Sequence, residues 1–159
     1  MTEQTRQKVF TELEFHLWRI RYLPKRDWHS EIMVKGSTKA LSTMRDAIKL
    51  MMEDFKSHGH STRKFLCNPP EDIDVLRYAN EHKAEIEWLI WLVFRMQSDV
   101  PDTARYELKN KAVTVFLNEQ TASKLLEILE TQLNTSTQYP HGQTAPGGLF
   151  FAPDWLGVE

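Results

Sequence analysis

A single cysteine, Cys67, stands in 159 residues, so no internal disulfide can staple the fold. Only six glycines occur, and none falls in a GxGxxG, GxSxG or P-loop pattern. The longest apolar run, Trp88 to Phe94, is far below the ~20 residues that span a bilayer, so no membrane is expected. Neither sign of charge dominates, with 20 basic and 22 acidic residues giving a formal net charge of -2. Such a balance supplies no global attraction for nucleic acid or an anionic membrane. Nothing resembling a signal peptide precedes the first expected strand, and the cytoplasm is the expected location.

What is present suits a folded domain. Apolar residues make up 41% of the chain and aromatics 11%, more than disordered chains carry. The length supports one core without metal or cross-links. Between Val9 and Leu17 the residues Val9, Leu13, Phe15 and Leu17 fall at odd positions, and then Trp18, Ile20 and Tyr22 become the apolar set. A strand with a bulge near Leu17 predicts that switch, because one extra residue exchanges the two faces. A turn over Pro24 to Asp27 leads to a second strand, in which Trp28, Ser30, Ile32 and Val34 alternate with polar neighbours.

Gly36-Ser37-Thr38 ends that strand and offers an N-cap. Leu41, Met44, Ile48, Met51, Met52 and Phe55 follow at helical spacing, with Gly59 placed to stop the helix. A short strand is expected over Lys64 to Cys67, and a brief helix over Glu71 to Lys83 with Ile73, Leu76 and Ala79 inward. Ile86 to Met96 reads as one central strand covered on both faces at its midpoint. Arg105 to Leu117 supplies one or two more strands, turning near Lys109-Asn110. Asn118 caps a last helix with the stripe Ala122, Leu125, Leu126, Leu129 and Leu133.

Strand-strand-helix order thus appears twice, from Leu13 to His58 and from Ile86 to Leu133. The fold class predicted is α+β. A mainly antiparallel sheet of five or six strands carries two long helices on one face, with a C-terminal apolar tail. Residues 1–134 form the domain, 135–148 a linker of Thr, Ser, Gln, Pro and Gly, and 149–159 a docking tail. That tail gathers Leu149, Phe150, Phe151, Trp155 and Leu156, whose exposure would cost several kcal/mol at ~25 cal/mol per Å2. It can cover its own sheet, dock across a homodimer or enter a groove of another protein.

Other clusters carry less chemistry. His58, His60 and Cys67 are zinc-ligand types, yet no fourth ligand completes a structural site. The alternative reading is a helix-end histidine, a loop histidine and a buried thiol. Arg19, Arg21, Lys25 and Arg26 interleave with Trp18, Tyr22 and Trp28, a composition that suits single-stranded nucleic acid, although Asp27 and Glu31 dilute it. Glu85 with Glu87, and Asp72 with Asp74, read as solvent-facing rather than as acid-base pairs. No cofactor is implied. The expectation is a non-enzymatic interaction module of adaptor or inhibitor type, homo-oligomeric through its aromatic tail. A metal-assisted enzyme at His58, His60 and Cys67, or nucleic-acid binding on the first hairpin, are the alternatives.

Overall fold

The structure is a computed structural model that describes residues 8–22, 32–68, 80, 81, 83–134 and 143–151. The expected brief helix over 71–83 lies almost wholly outside the described residues, as do Trp28 and Ser30. Within them the chain is α+β, with two helices and two mixed sheets of five strands each. The first sheet runs β1 (Val9–Phe10), β4 (His60–Leu66), β6 (Trp91–Gln97), β8 (Ala112–Leu117), β7 (Glu107–Lys109). The second runs β5 (Ala84–Trp88), β2 (Phe15–Tyr22), β3 (Ile32–Gly36), β10 (Leu149–Phe151), β9 (Gln143–Thr144). Three of the eight strand pairs, β1–β4, β6–β8 and β3–β10, are parallel, and the other five are antiparallel.

Two sheets exist where one was expected because the segment from Ile86 to Met96 is not a single strand. It leaves the second sheet after Trp88 and enters the first at Trp91. Between them Leu89 is buried and donates its N–H to the carbonyl of Leu17 at 2.9 Å. Ile90 accepts the N–H of Cys67 at 2.7 Å and remains 43% exposed. Apolar parity is unbroken across this crossing, so a period-2 pattern cannot reveal it.

The phase switch in β2 also has a different cause from the expected bulge. Pairing with β3 is uninterrupted from Phe15↔Gly36 to Arg19↔Ile32, and with β5 from Trp18↔Trp88 to Tyr22↔Ala84. No residue is inserted. Phe15 and Leu17 enter the main core on one face, while Trp18 and Ile20 belong to a second apolar cluster on the other.

Helix α1 (Thr38–His58) forms where the caps and the stripe agree. The Ser37 hydroxyl accepts the N–H of Ala40 at 3.1 Å, and Gly59, with φ of 79°, closes the end on the Phe55 carbonyl. Leu41, Met44, Ile48, Met51 and Phe55 are buried as their spacing predicts. Helix α2 (Glu119–Asn134) starts at Asn118, whose side-chain oxygen accepts from Thr121 N at 2.8 Å while Thr121 Oγ1 accepts from Asn118 N at 2.9 Å. The hairpin β7–β8 turns on Asn110 and Lys111, both at positive φ (52° and 66°), one residue beyond the predicted turn.

Phe65 sits where the two sheets and helix α1 meet. Its ring stacks on Phe10 at 4.9 Å and takes edge contacts from Phe15 at 5.5 Å and Phe94 at 6.0 Å. Beside it on β4, Arg63 is 2% exposed and donates to Asp54 Oδ2 of α1 at 2.6 Å, to Ser61 Oγ at 3.1 Å and to Thr62 O at 3.0 Å. A buried guanidinium keeps its charge only with such partners.

Candidate interaction surfaces

On the second sheet the side chains facing away from the main core form an apolar layer of their own. Trp18 and Ile20 are each 1% exposed and Met33 is 7% exposed. Ala84, Ile86 and Trp88 on the edge strand, and Phe150 on β10, pack against them and remain only partly buried. The Trp18 and Trp88 rings meet edge to face at 5.8 Å. Strand order puts Ile86 and Trp88 at one side of this layer and Phe150 at the other. Sequence reading missed Ile86, Trp88 and Met33 as members of this outer layer, because their strands look equally apolar whichever face is buried. The apolar switch at Trp18 was the available signal.

Glu85 and Glu87 alternate with that layer and point to the other side of β5. Across the strand pair they face Arg21 and Arg19, and Arg21 Nη2 bridges Glu85 at 3.1 Å. Lys111 Nζ donates to Glu87 at 2.7 Å. This hydrogen bond first, with the charges of Lys111, Arg19 and Arg21 behind it, holds the Glu87 carboxyl below its ordinary pKa. Arg19 and Arg21 of the first hairpin are therefore matched by carboxylates on the neighbouring strand. Lys25 and Arg26 lie outside the described residues.

The C-terminal residues divide. Leu149 and Phe151 are buried in the chain's own core, and β10 pairs in parallel with β3 and antiparallel with β9. These two cannot serve as a free hook: burial against β3 already satisfies them. Phe150 alone of the three faces the outer layer. Trp155 and Leu156 lie outside the described residues. Gln143 to Gly148, predicted as part of a linker, also belongs to the sheet region, since β9 is paired, Ala145 is buried and Gly147 bridges to Arg105.

The zinc-type cluster is pulled apart. His60 opens β4 and Cys67 follows its last residue, so seven strand residues hold them ~23 Å apart. His58 instead contacts the Asp54 carbonyl through Nδ1 at 3.1 Å, at the negative end of α1. Burial pushes the Cys67 thiol up to about 12, so it is protonated at neutral pH. Among the described residues no group of three His, Cys, Asp or Glu is placed to hold a metal. An open groove of about 470 Å3 between the start of α2 and the β9–β10 turn is lined by Asp102, Thr121, Lys124 and Ala145. Its helix start is already satisfied by Asn118, which also donates to Asp102 at 2.6 Å. Among the described residues no helix is long and apolar enough to cross a membrane.

No protein-family model matches the chain, and no curated protein is similar to it.

Proposed function

We propose that this chain is a non-enzymatic interaction module that forms a homodimer through the outer layer of its second sheet. The observation that carries this reading is the half-buried rim of Ile86, Trp88 and Phe150 around an already buried Trp18. Apolar side chains left partly in water beside a closed cluster mark a surface that another protein completes. Area limits what the rim can do alone. A stable interface needs about 800 Å2 per partner, and an aromatic side chain offers at most about 250 Å2. Ile86, Trp88 and Phe150, already partly covered, fall short of that. Trp155 and Leu156, only a few residues beyond β10, supply the difference in this reading.

The association is face to face rather than edge to edge. Antiparallel pairing of β5 with its own copy about Ile86 would set Glu85 against Glu87, and like charges directly opposite destabilise a ladder. The test is sedimentation velocity over about a hundredfold range of concentration, with native chain and Trp88→Glu. The native chain is expected to shift from monomer to dimer, and Trp88→Glu to remain monomeric with an unchanged fold. A variant that dimerises like the native chain would remove the rim from the interface.

A further inference from the structure

The outer face of the first sheet has a different chemistry. Alternation along the strands puts Leu92, Phe94 and Met96 of β6 in the core, so Trp91, Val93 and Arg95 point outward. Register extends this assignment across the sheet. Lys64 lies beside Val93, Phe116 beside Arg95, and Lys109 two strands from Trp91 in its row. Trp91, Arg95 and Phe116 are partly exposed, and Lys64 and Lys109 are exposed. Both helices pack on the opposite, core side of this sheet. Among the described residues Glu107 is the one carboxylate on this face, and Lys64, Arg95 and Lys109 make no ion pair with any carboxylate. The contrast with Arg21 and Lys111, each held by a glutamate of β5, is direct.

We propose that this face binds single-stranded nucleic acid, with Trp91 and Phe116 stacking bases and Lys64, Arg95 and Lys109 holding phosphates. Charge and shape favour this occupant over a protein. Three cations that make no ion pair, against the single carboxylate of Glu107, share a sheet face with two partly exposed rings, and a flat sheet admits splayed bases that a duplex keeps stacked. Four residues along the strands and one strand across separate Trp91 from Phe116, about 14 Å, so they meet non-adjacent bases of one extended strand. Arg95 lies directly beside Phe116, where its guanidinium reaches the backbone between those bases. This site is independent of the dimer surface, which lies on the other sheet.

The probe is a fluorescein-labelled oligothymidylate titrated with the full chain at low salt, read by anisotropy. Saturable binding is expected, weakening with salt at a log–log slope of about -2, the value for three phosphates at about -0.7 each. Lys64→Ala with Arg95→Ala is expected to weaken binding at least tenfold and flatten that slope. Trp91→Phe keeps a stacking ring and retains binding, whereas Trp91→Ala loses severalfold. Arg21→Ala serves as a control that leaves binding unchanged, and unfolding curves confirm that each variant is folded. The proposal is overturned if the native chain leaves the anisotropy flat at low salt. It is equally overturned if the double variant binds as tightly as the native chain. Equal affinity for duplex DNA with no effect of Trp91→Ala would indicate a general polyanion contact and would also reject the stacking site.

Discussion

Trp88 and Trp91 are three residues apart in the chain, and both point away from the main core, yet their surroundings have little in common. Around Trp88 the neighbours are apolar, and the charges across β5 are matched, Arg21 to Glu85 and Lys111 to Glu87. Trp91 has Leu66 and Ala112 directly beside it, and the sheet face it shares also carries Lys64, Arg95 and Lys109, for which no carboxylate partner occurs among the described residues. What separates the two is the crossing at Leu89 and Ile90, which passes the chain from one sheet to the other. One short apolar stretch therefore serves two surfaces. The lesson is that the partner of an aromatic residue is set by the register of its neighbours, not by its local pattern.

Substitutions sharpen that comparison. The largest effect is expected at Phe65, which holds the two sheets together: Phe65→Ala costs about 4 kcal/mol in urea unfolding. A loss under about 1 kcal/mol would mean that the sheets are not joined there. Phe151→Ala is expected to cost about 3 kcal/mol, because the side chain is 2% exposed in the main core. Trp91→Ala, on a partly exposed face, costs about 1 kcal/mol by the same assay. Equal losses at Phe151 and Trp91 would erase the distinction between core and surface.

Smaller effects come from titration. The buried Cys67 thiol keeps its proton up to about 12, whereas the unfolded chain ionises near the ordinary value of 9.0. Its raised native pKa leaves stability intact below about pH 9 and lowers it as pH rises from there toward 12. Cys67→Ala is expected to flatten that alkaline decline, and thiol reagents to react with the native chain only as fast as it opens. The smallest effect lies at Glu87. Its depressed pKa contributes stability above the ordinary glutamate range that fades as pH falls through the native value. In Lys111→Ala the carboxyl midpoint followed by NMR moves upward. No movement would show that the 2.7 Å contact is not what holds it down.

Much of the fold was legible in the sequence where signals were local. Helix α1 is announced by Ser37, Gly59 and a stripe between them, and Asn118 likewise marks α2. The division into two sheets was not legible, because Leu89-Ile90 carries neither glycine nor proline and keeps the apolar parity. Trp18 and Ile20 announced a second buried face, but an alternating pattern reads equally as a bulge, and only register decides. The tail was legible as a segment that must be covered, and its first residues are covered by β3. The cationic face around Trp91 was hidden, since Lys64, Arg95 and Lys109 are spread over 46 positions and meet only through strand order.

The most direct test is fluorine NMR of the chain labelled with 5-fluorotryptophan, its five resonances assigned by single Trp→Phe variants. Spectra are compared between dilute and concentrated protein. The account predicts that the Trp88 resonance shifts or broadens as concentration rises while Trp91 stays fixed. A Trp88 resonance that does not move with concentration, or a Trp91 resonance that moves in its place, would contradict it.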